Sequence, residues 1–200
     1  MKDEVRVVLF DFDGTLSAGD ANSGFWKYCF AHSLRPWFFL PIVLFGFLIK
    51  PFNKGGVFWR QCARCFLTPD MVKKLAPGFI KLHRKKRFAW AKDTIAREKE
   101  WGRLAICISA GPDYLILPLV KDMGFDLIIC TETDKRRPWK LKFLCWGINK
   151  VIALTAWEVK NNIRARVIKS FSDHPSDAPM MGIADVCIWV NPKTGEFRNI

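Results

Sequence analysis

Two carboxylates one residue apart, Asp11 and Asp13, follow the apolar run Val5–Phe10 and precede Gly14 and Thr15. Acids at the end of a buried strand are costly unless a cation or a proton occupies them. The run itself has the β-branched, apolar character of a strand buried on both faces. In open α/β sheets the ligand crevice lies at the carboxyl ends of the strands, which is where these two acids fall. An Asp-rich turn, with Gly supplying an awkward dihedral, would also give this local sequence. The pattern recurs downstream, however. Arg166–Phe171 reads as a strand and leads into Ser172, Asp173 and Asp177. Between the two lies a third strand, Arg103–Ile108, followed by Ser109, Ala110, Gly111 and a helix start at Pro112 and Asp113. A hydroxyl, free amides and a helix N-terminus form a cradle for an anion. Acid, hydroxyl-plus-amide and acid at three strand ends suit a divalent cation and a phosphoryl group together. A cation to offset phosphate charge is available in Lys150, early in a helical stretch reaching about Asn161. Taken alone, a lysine on a helix is ordinarily solvated.

Taken together, these residues resemble the four motifs of the haloacid dehalogenase superfamily of phosphotransferases, in the family's order: Asp11-Phe-Asp13-Gly-Thr15, Ser109, Lys150, and Ser172-Asp173-His-Pro-Ser-Asp177. The resemblance spans nearly the whole chain. The insertion between the first and second motifs is similar to the helical cap of the phosphoserine-phosphatase-like branch. Within that branch the chain looks most like the bacterial phosphatidylglycerophosphate phosphatases of the C type. The similar features are a Pro-containing apolar run ending in Leu48-Ile49-Lys50, the approach Cys145-Trp-Gly-Ile-Asn-Lys150, and the segment Trp189–Glu196. One departure is Ser172, where much of the superfamily has Gly.

The resemblance implies an α/β fold, a doubly wound parallel Rossmann-like sheet with an inserted helical cap. Residues 1–18 and 88–200 would form the core and residues 19–87 the cap. It implies a Mg²⁺-dependent phosphomonoesterase working through an aspartyl-phosphate. Asp11 would be the nucleophile and Asp13 the proton donor and later the base. Ser109 and the amide of Ala110 would hold phosphoryl oxygens, and Lys150 would offset their charge. Mg²⁺ would be held by the Asp11 side chain, the Asp13 backbone carbonyl and Asp173. Asp177 would orient Lys150, and Thr15 would fix the loop.

Composition bounds the rest. The 200 residues suffice for one medium domain or a core with a small insert. Seven scattered cysteines, an odd number without framework spacing, favour a reducing cytosol. The lone pair Cys62 and Cys65 has no second pair nearby to make a metal site. The charged opening leads straight into a strand, which predicts no signal peptide. Charge is uneven: Gly19–Lys92 holds 14 Lys and Arg against two acids, while the remainder is nearly balanced.

That cationic insert also carries the most apolar stretch, Pro36–Ile49, bracketed by Arg35 and Lys50. As one helix its 14 residues would reach about 21 Å, short of the roughly 30 Å hydrocarbon core. Pro41 and Gly46 should bend or loosen it. It reads as a buried cap helix, a re-entrant hairpin or an interfacial segment. Trp26, Trp37, Phe52 and Trp59 near its flanks suit an interfacial belt, and the basic run Lys81–Arg87 suits anionic headgroups. On this reading residues 36–49 and 81–87 meet an anionic membrane, the substrate is a lipid phosphate, and the protein is cytoplasmic, peripheral on the inner face of the plasma membrane. A soluble phosphatase for a metabolite such as phosphoserine is the alternative, with the apolar segment packed inside the cap. A non-catalytic membrane-docking module is a third reading, opposed by the intact acids and lysine. The basic pI of 9.6 raises nucleic acid as a partner; no recognised motif supports it, and long apolar runs make poor groove contacts.

Overall fold

The computed structural model describes residues 3–52 and 56–199. Its centre is β1 (Asp3–Phe10), whose alternating side chains feed two cores. Val8 and Phe10 point into one, Val7 and Leu9 into the other. Apolar residues on both faces of a strand require cover on both faces, so the sheet must be sandwiched by helices. Parallel neighbours of β1 are β2 (Leu104–Pro112) on one side and β5 (Ile163–Ser172) on the other. The sheet continues through β3 (Leu127–Thr133) and the short β4 (Leu141–Phe143) at one edge. At the other edge lie β6 (Val186–Val190) and β7 (Phe197–Asn199), giving the order β4-β3-β2-β1-β5-β6-β7. Only the edge strands β4 and β7 run antiparallel.

One face is covered by α6 (Trp90–Glu100) and α7 (Asp113–Val120), the other by α8 (Ile148–Asn161) and the short α9 (Ala178–Met181). The expected doubly wound parallel sheet is therefore present. The chain leaves β1 toward β2 on one side and later returns to pair β5 on the other. This reversal opens a crevice at the carboxyl ends of β1, β2 and β5.

Between β1 and α6 the chain builds a helical layer. It comprises α1 (Ala21–His32), α2 (Arg35–Phe38), α3 (Leu40–Ile49), α4 (Val57–Cys62) and α5 (Pro69–His83). Asp20 caps α1 by accepting from the Ser23 amide, and Thr68 caps α5 by accepting from Met71 N at 3.2 Å. The two chain crossings into this layer are laced together: Ala18 N bonds Lys86 O at 2.9 Å and Phe88 N bonds Leu16 O at 3.0 Å.

Several local expectations need correction. The stretch 36–49 is two helices, not one. Pro41 sits in the first turn of α3, where its missing N–H leaves no bond unmade. Gly46 does not loosen α3; a Cβ there would stand 2.7 Å from Cys62 Cβ, so its absence lets α3 and α4 pack closely. The basic run 81–87 is not a free cationic face. His83 is buried, and Arg87 is tied to Asp122 at 2.7 Å and to Leu119 O. Arg84 donates to Pro118 O at 2.6 Å. Lys81, Lys85 and Lys86 remain exposed. Past Val190 the sequence reads as a polar tail, yet β7 pairs with β6 there. The sequence also predicts a turn at residues 53–56; it falls mostly outside the described residues, as does the Lys50 side chain. All seven cysteines are free thiols, Cys62 and Cys65 included.

His83 gives a pH signature to this layer. Its Nε2 lies 3.3 Å from Ser17 Oγ, and its ring packs against Phe12 and Phe79. Burial, reinforced by Lys86 and Arg87 and opposed by Asp20, pulls its value from 6.5 down to about 4. The unfolded chain then takes up the proton first. Stability from neutral His83 is complete above about pH 6.5 and is lost as pH falls toward 4. Between pH 7 and 4.5, His83→Gln should lose less stability than wild type, by on the order of 2 kcal/mol. Urea unfolding at both pH values tests this, and equal losses in the two proteins would remove His83 as the titrating group.

Candidate active site

Three of the sequence-selected residues form one buried chain of charge. Lys150, 1 % exposed, donates through Nζ to Asp11 Oδ1 at 2.6 Å and to Asp177 Oδ2 at 2.7 Å. These groups come from the end of β1, the first turn of α8 and the turn after β5. A lysine early in a helix is brought inward here because α8 starts at Gly147, whose positive φ of 60° turns the chain abruptly at the crevice floor. Burial alone would lower the Lys150 value, yet Asp11 and Asp177 overcome it and hold the ammonium firmly charged.

Thr15 stands between the next pair. Its hydroxyl lies 3.3 Å from Asp11 Oδ2 and 3.1 Å from Asp173 Oδ1, so it fixes both carboxylates, as expected of a loop-setting residue. Gly14 has φ +78°, and a Cβ on it would overlap the Asp173 carboxylate. Only Gly lets that acid lie against the Asp13–Gly14 backbone. Ser172, the departure from the family pattern, has a clear use. Its hydroxyl donates to Asp177 at 2.7 Å and accepts from His174 N at 3.3 Å, so it stiffens the loop that carries Asp173.

Asp13 faces away from Lys150. Its Oδ1 accepts from Ala21 N at 2.7 Å, at the start of α1, so the acid is directed toward the helical layer. Burial, followed by Asp20 and Asp11, raises its value well above the ordinary carboxylate range. A raised carboxyl can carry a proton to a leaving group. Burial also raises Asp11 and Asp173, with Asp177 adding to each. Ser109 is buried in the last part of β2, where the register with β3 shifts, and its hydroxyl accepts from Gly111 N at 3.1 Å. Ala110 is half-buried, its carbonyl held by Thr131 Oγ1 at 2.8 Å. Thr131 also accepts from Cys145 N at 3.1 Å, tying the Ser109 loop to the approach to Lys150. Nothing in the sequence distinguished this threonine; its role depends on strands that meet only in the fold.

The donors fit a hard divalent cation. Lys150 pairs with Asp11 and Asp177, which leaves Asp13 and Asp173 as further acids, and burial raises Asp11, Asp13 and Asp173, which a cation would relieve. Among the described residues no three His, Cys, Asp or Glu side chains form a ready cage. A cation here would take the Asp11 and Asp173 carboxylates, bridged by Thr15, with backbone oxygen and water, a set that Mg²⁺ accepts.

Comparison with known proteins follows this geometry. The family model described as haloacid dehalogenase-like hydrolase matches residues 8–182. The chain belongs to that family. No curated protein matches it. Among solved structures, one from Bordetella pertussis Tohama I, titled a protein with unknown function, is 17 % identical with a TM-score of 0.74, covering 96 % of this chain and 92 % of that one. A structure titled phospho-aspartyl intermediate analogue of phosphoserine phosphatase is 18 % identical with a TM-score of 0.61, covering 96 % and 88 %. A cytosolic 5'-nucleotidase IIIB bound to cytidine is 11 % identical with a TM-score of 0.65, covering 90 % and 69 %. At these identities the likeness is one of fold.

Gly14→Ala should displace Asp173 and weaken Mg²⁺ affinity at least about tenfold, as should Asp173→Asn. Calorimetric titration with Mg²⁺ reads this without any substrate. Unchanged affinity in both variants would take Asp173 out of the ligand set.

Proposed function

We propose that this chain is a phosphomonoesterase in which Asp11 becomes transiently phosphorylated. The observation that carries the reading is the Asp11 carboxylate, pinned by Lys150 at 2.6 Å at the mouth of β1, with Asp13 two residues on and turned toward the cap. Asp11 attacks phosphorus in line with the ester oxygen. Asp13 gives its proton to the departing alkoxide, then takes one from the water that cleaves the acyl phosphate. Ser109 and the Ala110 amide receive phosphoryl oxygens, and Lys150 balances charge in the transition state. Asp177 and Ser172 keep Lys150 in place. Bound Mg²⁺, held by Asp11, Asp173 and the Asp13 carbonyl, would offset the repulsion between carboxylate and phosphate dianion. Asp11→Asn is expected to abolish turnover with the fold retained, read by circular dichroism; near-wild-type turnover would overturn the mechanism.

The favoured substrate is a lipid phosphate, phosphatidylglycerophosphate by resemblance, reached at the inner face of the plasma membrane. Support comes from α3, where only Val43 and Gly46 are buried. Leu48 is 73 % exposed, and Phe38 in α2 is 81 % exposed. An apolar patch this dense is unusual on a water-facing surface. Among the described residues no helix is long and apolar enough to cross a membrane, so the surface would lie in the interface rather than span it. The alternative, a soluble ester such as phosphoserine, is left little support by a helix that is not packed inside the cap. With Mg²⁺ present, kcat/KM for phosphatidylglycerophosphate in mixed micelles should exceed that for water-soluble phosphomonoesters by at least about a hundredfold. Equal or better turnover of a soluble ester would replace the lipid reading.

A further inference from the structure

The strand ladder beside the phosphoryl cradle has a gap that side chains close. Ser109 in β2 lies opposite Cys130 in β3, but the next paired residues are Pro112 and Thr131, so Ala110 and Gly111 have no partner in that ladder. Extra residues on one strand leave backbone groups outside the ladder, and buried ones must find other partners. Thr131, fully buried, supplies one: its hydroxyl donates to Ala110 O at 2.8 Å. Ser109 supplies the other by accepting from Gly111 N at 3.1 Å. Gly111 has no room for a side chain, since a Cβ would stand 2.6 Å from Ile116 Cδ1. The peptide joining Ala110 to Gly111 is therefore held at both its ends.

These bonds run in one sense. An amide N–H can only donate, and a carbonyl oxygen can only accept. Cys145 N donates to Thr131 Oγ1 at 3.1 Å, so that oxygen accepts and its hydrogen is directed to Ala110 O. Gly111 N donates to Ser109 Oγ, so the serine oxygen accepts as well and its hydrogen is left to donate. Among the described residues the Ser109 hydroxyl donates to no protein group, although Ser109 is only 1 % exposed. Cys145, Thr131, the Ala110–Gly111 peptide and Ser109 thus form one line of aligned dipoles, and bonds in such a line polarise one another. The line starts beside the lysine. Leu144 O accepts from Asn149 Nδ2 at 2.9 Å, in the first turn of α8 and next to Lys150.

We propose that Thr131 is a positioning residue for phosphoryl transfer: it sets the sense of the Ser109 hydroxyl, so that Ser109 donates to the phosphoryl group, and it links that donor to the segment leading to Lys150. The proposal rests on the phosphomonoesterase reading and adds to it a residue that touches no substrate. Charge develops on the phosphoryl oxygens during transfer, and donors already aimed at them need no reorganisation at that moment. Without the Thr131 hydroxyl the Ala110 carbonyl can turn, Gly111 N loses its alignment, and the Ser109 hydroxyl can rotate away from the phosphoryl group.

A double-mutant cycle separates this role from general damage to the strand. Thr131→Val removes the hydroxyl, Thr131→Ser keeps it, and Ser109→Ala removes the end of the line. Each variant is assayed with Mg²⁺ on p-nitrophenyl phosphate and on phosphatidylglycerophosphate in mixed micelles. Thr131→Val should lower kcat about tenfold while KM changes less than about twofold. Thr131→Ser should stay within about threefold of wild type. Ser109→Ala should itself cost about a hundredfold, which leaves turnover measurable. In that background the Thr131→Val change should lower kcat by less than about threefold. Equal losses in the two backgrounds, no loss in the first, or complete inactivity of Ser109→Ala would overturn the Thr131 role and leave the phosphomonoesterase reading standing. Thr131→Val strands Ala110 O and Cys145 N, so it should melt below wild type. If it does not fold, Thr131→Ala takes its place in the cycle, and failure of both to fold would make Thr131 structural and overturn the proposal. No turnover of either ester by the wild type would overturn the phosphomonoesterase reading and the Thr131 role with it.

Discussion

The fold around the site depends on one buried ammonium. Lys150 is held between Asp11 and Asp177, and each of the three comes from a different strand-to-helix junction. An ion triad of this kind contributes little net stability, yet removing any member leaves an uncompensated buried charge. Its geometry is therefore a tight constraint on everything that carries it. β1 and β5 must be neighbours, α8 must begin at the crevice, and the turn after β5 must bend back on itself. Ser172 holds that turn by bonding Asp177, so a residue that departs from the family pattern supports the same triad by a side chain rather than by a compact backbone.

The second constraint is the surplus of acid. Four carboxylates gather at this end of the sheet while Lys150 pairs with two of them, and burial lifts Asp11, Asp13 and Asp173. The surplus separates by orientation. Asp11 and Asp173 share Thr15 and lie beside the backbone of Gly14, which suits a cation. Asp13 instead meets the amide of Ala21, at the first residue of α1. The cap is thereby linked to the core by the same acid that would pass the proton. Any shift of α1 would alter the environment of Asp13, so closure of the helical layer and readiness of the acid are coupled through one hydrogen bond.

What could be read in the sequence was what depends on local order. Val5–Phe10 announced a strand, and the acids after it announced a site, because pattern and spacing act over a few residues. Lys150 could be selected only through family likeness, since nothing local distinguishes a buried lysine from a solvated one. The tertiary contacts were out of reach. Pro41 could be seen as a helix disturbance but not as the start of a second helix. Lys81–Arg87 read as an open basic face because Asp122, which binds Arg87, lies 35 positions away.

The apolar outer surface of the helical layer depends on one small residue. In α3 only Val43 and Gly46 are buried, and the aliphatic and aromatic side chains around them are exposed. A Cβ on Gly46 would stand 2.7 Å from Cys62 Cβ and 3.1 Å from Trp59 O, so glycine is what lets α3 lie against α4. A larger residue there would push the two helices apart. A helix that shows most of its apolar side chains to the outside is held by this close backbone contact rather than by burying a broad face. A substrate with an apolar end would meet that surface, whereas a small polar metabolite would leave it unused.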